Sequence, residues 1–256
     1  MSPTYSKIPL SPTVVAVPCF SGAAWDLSAL RPLQHRALYT FRLPEGSDSV
    51  EADADALAEQ VRDLEDYVLV GDSFGAVISL ALAVRRPAGL RALVLSGGFA
   101  ADPVTTPVAR MRIAAAQMRP AALYDTVTLR FHAAALASPH DRRGQHPWTT
   151  ADSRRLFQDN TPHASYVSRT KAAFSADYRS QLGRVEVPTL LLTPSHDRLI
   201  GPRAAQVLLA GLPDATEVVL PKTGHLFRFS HPVDYAQAVE DFLAARVDLA
   251  TGVETG

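Results

Sequence analysis

The run Tyr67-Val68-Leu69-Val70-Gly71-Asp72-Ser73-Phe74-Gly75 constrains the fold more than any other part of the chain. An apolar stretch ends in Gly-x-Ser-x-Gly, and apolar residues at helical spacing follow at once. The pattern reads as a strand, a tight turn and a helix, with Ser73 on the turn. So sharp a turn strains the serine backbone, and Gly71 and Gly75 must lack a Cβ so that the flanking chains can approach. The hydroxyl then stands at the head of a helix, where unpaired N–H groups favour developing negative charge.

Short strand-like runs at 14–17, 37–41, 67–70, 92–95, 189–193 and 217–220 alternate with helical patterns at 24–33, 50–64, 74–85, 203–210 and 232–246. This is the signature of a mostly parallel sheet covered by helices, and most of the strands are apolar enough to be interior. Ser49 stands where it can cap the second helix, with acidic residues in its first turn. Between Gly98 and Val187 the alternation stops. That stretch reads as several helices broken by Pro107, Pro120, Pro139, Pro147 and Pro162, and its Ser138–Trp148 segment reads as an exposed loop. The expected organisation is a core of residues 1–98 and 188–250, a helical insertion over 99–187, and a frayed tail at 251–256.

A serine nucleophile needs a base to take its proton and an acid to orient that base. On a strand–turn–helix serine the chain order is serine, acid, histidine. Pro194-Ser195-His196-Asp197 follows one strand run, and Pro221-Lys222-Thr223-Gly224-His225-Leu226 follows the next. Both lie just past carboxyl ends of strands, the rim where open α/β sheets place their sites. An acid at another strand end is the alternative to Asp197, whose bland role is to cap the next helix. His35, His132, His140, His146 and His163 fall in segments with no matching strand end. His231 precedes Pro232 as a helix-entry residue, and His196 lies on the wrong side of the chain order to be the base. Cys19 reads as a small buried residue. His140, His146 and Asp141 read as a solvated loop, and no metal-ligand spacing or nucleotide loop is present in the sequence.

From about Val14 to Leu243 the chain resembles the α/β-hydrolase superfamily, in its capped branch of esterases, lactonases, haloperoxidase-like enzymes and carbon–carbon bond hydrolases. The resemblance implies a mostly parallel central sheet with a helical cap inserted after the family's sixth-strand region. It implies Ser73 as nucleophile, Asp197 as orienting acid and His225 as general base. The oxyanion hole would use the backbone N–H groups of Phe74 and Phe20. Trp25 and Leu226 would line the substrate pocket, and no cofactor or metal is implied. Two departures stand out. Pro18-Cys19 occupies the place where many relatives carry His-Gly, and 43–49 only loosely echoes the family's glycine-rich turn. The first core strand also begins close to residue 1, which leaves little room for the family's leading strands.

Net charge is −1, with 47% apolar and 20% charged residues. That balance gives no basis for nucleic-acid or anionic-membrane partners, and with a single cysteine there is no internal disulfide framework. The expectation is a cytoplasmic protein with a small-molecule substrate; its oligomeric state is not legible. The expected reaction is hydrolysis of a small to medium apolar ester or lactone. The same three residues could serve carbon–carbon cleavage, perhydrolysis, cofactor-free oxygen chemistry, a thioesterase or an acyltransferase, and a non-catalytic ligand-binding relative is the alternative from another class. Apolar and aromatic residues of the insertion (Met111, Met118, Tyr124, Phe131, Trp148, Phe157, Phe174) could line a pocket or form the insertion's own core.

Overall fold

The computed structural model describes residues 12–103 and 107–248. Six strands form one sheet: β1 Thr13–Val17, β2 Leu38–Thr40, β3 Tyr67–Asp72, β4 Leu90–Ser96, β5 Thr189–Pro194 and β6 Ala215–Leu220. Their order is β2-β1-β3-β4-β5-β6 and every pairing is parallel. All carboxyl ends therefore share one rim. After β2 the chain crosses to the far side of β1, so the topological switch point falls between β1 and β3. Ligand crevices of open α/β sheets form there.

The helices of the sheet domain are α1 Val50–Val61, α2 Phe74–Ala83, α7 Pro202–Gly211 and α9 Pro232–Leu243, with a short α8 at Phe227–Ser230. Helix α2 is apolar all round and buried along its whole length, so it runs through the core beside β3. Ser49 caps α1 by accepting from the Ala52 N–H at 3.2 Å. One apolar cluster packs α1 and α2 on one sheet face, and a second packs α9 on the other. The helix expected over 24–33 is instead two short 3-10 turns, Leu27–Ala29 and Arg31–Leu33. Asp26 caps the first by accepting from Ser28, and Pro32 cannot donate the N–H that a longer helix would need.

Between β4 and β5 come α3 Pro107–Gln117, α4 Leu129–Leu136, α5 Thr150–Asn160 and α6 His163–Ser175. Among the described residues of this stretch the only β pairing is an isolated bridge, Ala101 with Asp177. The 138–148 segment is not simply exposed. Ser138 and Asp141 are buried, and a Cβ on Gly144 would lie 2.2 Å from the Ser230 carbonyl oxygen. Asp141 is satisfied there by the Gly224 N–H and the Ser230 hydroxyl, groups distant in sequence that local composition does not register. The expected frayed tail at 251–256 lies outside the described residues. No helix among the described residues is long and apolar enough to cross a membrane.

The elbow geometry makes a stability prediction. A Cβ at Gly75 would lie 2.4 Å from the carbonyl oxygens of both Val17 and Pro18, backbone atoms that cannot swing aside. Gly75→Ala should therefore destabilise the protein by about 3 kcal/mol or more. Gly201→Ala, where a Cβ meets open space, should leave thermal stability within about 0.5 kcal/mol of the parent. Melting curves of the two variants check this.

Candidate active site

Ser73 stands between β3 and α2 with φ 55° and ψ −111°, a left-handed backbone that a side-chain-bearing residue adopts only under constraint. Its N–H donates to the Ser96 carbonyl at 2.7 Å, which ties the turn to β4. A Cβ at Gly71 would fall 2.5 Å from the Gly75 carbonyl oxygen, so both glycines of the motif are required by close approach. The side chain of Ser73 does not cap α2, which leaves its hydroxyl available to another partner.

That partner is His225, in the loop after β6, whose Nε2 lies 3.0 Å from Ser73 Oγ. His225 Nδ1 lies 2.7 Å from Asp197 Oδ2, in the loop after β5. With Nδ1 donating to the carboxylate, Nε2 is left as the acceptor for the serine hydroxyl. The other Asp197 oxygen accepts from the N–H groups of Leu199 and Ile200 at 2.8 and 2.9 Å, so the carboxylate is fixed at both ends. Asp197 thus caps its own turn and holds His225 at once. Burial alone would lower the His225 pKa, but the carboxylates of Asp197, foremost, and of Asp72 and Asp141 together outweigh it, and the net direction is upward.

The N–H groups of Phe74, at the start of α2, and of Phe20, just past β1, donate to no protein acceptor among the described residues. The two rings meet edge to face at 5.9 Å. Leu226 joins Phe20 in a third apolar cluster with Tyr124, Leu129, Leu136, Phe157, Tyr166, Trp148 and Phe229. The insertion's core and the apolar surroundings of the serine are therefore one continuous cluster. Trp25 lies apart from it. It belongs to the cluster around α9, edge to face with Tyr235 at 5.9 Å, where it packs as core and not as a pocket wall. Met111, Met118 and Phe131 face solvent; for Phe131 the reason is that Leu129, Ala133 and Leu136 set the inward face of α4.

Several residues tie the site together that chain order alone does not reveal. Asp72, next to the serine, accepts from Arg228 Nε at 2.7 Å, and that guanidinium stacks over Trp25 and Phe229 at 4.1 and 3.9 Å. This buried pair links the elbow to α8, which follows His225. Asp141 of the insertion accepts from the Gly224 N–H at 3.1 Å and the Ser230 hydroxyl at 2.9 Å, holding the histidine loop from above. Burial raises its pKa. His140, from the same segment, stacks on His196 at 3.9 Å. His132 lies among Phe20, Phe157 and Tyr166, and burial pushes its pKa down to about 4. The one signal for these groups in the sequence is their nearness to motif residues, which marks Asp72 and Arg228 but not Asp141 or His132.

Cys19 is buried within 3.4 Å of the Ser21 hydroxyl, and burial raises its thiol pKa. No group of three or more potential metal ligands occurs among the described residues.

Three outcomes follow. Since His225 must be neutral to accept a proton and its pKa is raised, the ascending limb of kcat/KM against pH should lie above the ordinary imidazole midpoint of about 6.5. Asp197→Asn removes the carboxylate charge that raises it, so the limb should move to lower pH while kcat falls by up to about 10⁴-fold, as read from pH–rate profiles of both proteins. The Cys19 thiol should resist a thiol-specific reagent in the native protein and react once the chain is unfolded.

The chain is similar to known proteins in sequence and in fold. Residues 14–238 match the model of the alpha/beta hydrolase family. A pimeloyl-[acyl-carrier protein] methyl ester esterase of Neisseria meningitidis is 28% identical over 79% of this chain and 64% of its own length. A putative carbamate hydrolase of Stutzerimonas stutzeri is 27% identical over 68% of this chain and 65% of its own. The chain thus spans just under two thirds of the length of each of these relatives. A hydrolase from Pseudomonas aeruginosa has the same fold, with a TM-score of 0.76, 21% identity and coverage of 93% and 92%. With its parallel sheet, its strained serine turn and a family match over most of its length, the chain belongs to the alpha/beta hydrolase family.

Proposed function

We propose that the protein hydrolyses a small to medium apolar ester or lactone through an acyl-enzyme on Ser73. The observation that carries this reading is the hydrogen-bonded relay from Ser73 through His225 to Asp197, at 3.0 and 2.7 Å, built on a strained turn. Ser73 Oγ attacks the carbonyl carbon while its proton passes to His225 Nε2. Asp197 holds the imidazole tautomer and stabilises the imidazolium. The carbonyl π electrons move onto oxygen, and that oxyanion accepts from the Phe74 and Phe20 N–H groups. Collapse expels the alkoxide, which takes the proton from Nε2. Water then attacks the acyl-enzyme by the same route, releasing the acid and restoring Ser73.

In this reading residues 99–187 act as a cap over the core formed by 1–98 and 188–250. Phe20, Leu226, Phe157, Tyr166 and neighbouring aromatic residues pack together as an apolar cluster beside the serine, which favours a neutral, apolar substrate. The relatives' names, an ester hydrolase and a putative carbamate hydrolase, share attack on a carboxyl-level carbonyl and support the reaction type.

Intact-mass analysis after fluorophosphonate treatment tests the reading. One adduct on Ser73 is expected, absent in Ser73→Ala and slowed at least about a hundredfold in His225→Ala. Neutral short-chain aryl esters should exceed matched esters bearing a carboxylate or ammonium in kcat/KM by more than about tenfold. Folded wild-type protein that gives no adduct, or that prefers charged esters, contradicts the mechanism or the substrate class respectively.

A further inference from the structure

Arg169, on α6 of the insertion, is among the largest fully buried side chains of the described residues. Burying a cation costs several kcal/mol unless its surroundings compensate, so its place calls for a physical reason. No carboxylate lies within ion-pair distance of it among the described residues; the charge of Asp53 acts on it from farther away. Its guanidinium is spent on backbone. Nη1 donates to the carbonyls of Phe20 at 3.2 Å and Ser21 at 3.0 Å.

These two carbonyls belong to the loop that carries the Phe20 N–H, and the rest of that loop is tethered too. The Gly22 N–H donates to the Cys19 carbonyl at 2.9 Å. Because a trans peptide points its C=O and N–H in opposite directions, fixing the Cys19 carbonyl aims the Phe20 N–H the other way. Thr161 Oγ1 donates to the Ser21 carbonyl at 2.9 Å, and the Leu43 N–H to the Gly22 carbonyl at 3.2 Å. Gly22, at φ 75°, leaves the space the guanidinium occupies, since a Cβ there would lie 2.6–2.8 Å from it. Four successive carbonyls are therefore held, and two of them by one side chain from the insertion. Pro18 has no N–H to donate and Cys19 lacks the conformational freedom of glycine, so the loop draws on tethers from outside itself.

We propose that Arg169 is a positioning residue for the oxyanion hole, holding the Phe20–Ser21 peptide units so that the Phe20 N–H meets the tetrahedral oxyanion. The inference rests on the serine-hydrolase reading above. It makes the insertion a working part of transition-state stabilisation in addition to a cover over the substrate.

The test compares wild type with Arg169→Met, Arg169→Lys and Thr161→Val, each first shown to be folded by its melting curve. Steady-state kinetics on a neutral aryl ester are read beside inhibition by an aryl trifluoromethyl ketone, whose hemiketal places an oxyanion in the hole, and by the matched methyl ketone, which binds without it. Loss of one oxyanion donor costs about 10²–10³-fold in kcat. Arg169→Met should approach that loss, with trifluoromethyl ketone affinity falling in step and KM and methyl ketone affinity changing by less than about threefold. Arg169→Lys should recover part of the loss, and Thr161→Val should show the same pattern at about 3–10-fold. If Arg169→Met does not fold, the Lys and Val variants decide.

Unchanged kcat and trifluoromethyl ketone affinity in the folded variants would overturn the proposal. So would a parallel decline of kcat, KM and both inhibitors, which marks a structural role alone. A wild-type enzyme that reacts at Ser73 while ignoring these substitutions sinks this inference only. A wild-type enzyme that does not react at Ser73 at all sinks the serine-hydrolase reading beneath it.

Discussion

The positive φ of Ser73 is the constraint on which the rest of the site depends. A serine at φ 55° is unfavourable by about 1–3 kcal/mol and persists only where its surroundings over-determine it. Here they do. The turn is bonded to β4 through the Ser96 carbonyl, and Gly75 sits hard against the Val17 and Pro18 carbonyls at the end of β1. Asp72 anchors it to α8 through the buried Arg228. Relaxing the turn would require separating β1 from α2, or breaking a buried ion pair, a change that typically costs about 3–5 kcal/mol. The strain is therefore held by the packing of the whole sheet domain.

The same packing explains how three distant residues meet. Parallel strands deliver β1, β3, β5 and β6 to a single rim, and each contributes one loop: Phe20, Ser73, Asp197 and His225. Their spacing is set by the sheet, while orientation comes from local bonds. Asp197 is oriented by the N–H groups of its own turn, His225 by Asp197, and the loop around His225 by Asp141 from the insertion. The insertion thus holds two of the four loops, one through an acidic and one through a basic side chain, both buried.

Much of this was legible in the sequence because the signals were local. The apolar run before Gly71, the glycines either side of Ser73, and the Asp and His just past two later strand runs each report on their immediate neighbourhood. The Ser49 cap was legible for the same reason. What could not be read depends on contacts between segments far apart in the chain. The 24–33 helix failed because Asp26 and Pro32 favour short capped turns over continuous bonding. The 138–148 segment looks like solvent-exposed loop in composition, yet Asp141 and Ser138 are buried against the histidine loop. Arg169 carries no motif at all. Its role depends on a vacancy at Gly22, 147 residues earlier in the chain, and on two carbonyl oxygens that no sequence pattern marks. Phe131 faces outward for a related reason, since the facing of α4 is fixed by the residues that reach the cluster around Phe157 and Tyr166.

In the proposed mechanism Ser73 is a nucleophile that carries an acyl group. The most direct measurement is a rapid-mixing experiment with an aryl acetate, quenched in acid within the first turnover and mapped by peptide mass. A burst of released phenol equal to the enzyme concentration is expected, with one acetyl group recovered on the peptide containing Ser73. Steady release without a burst would show only that deacylation is fast, provided the quenched protein still carries a substoichiometric acetyl on Ser73. Turnover with no acetyl on Ser73 at any time, or with acetyl on another residue, would contradict it.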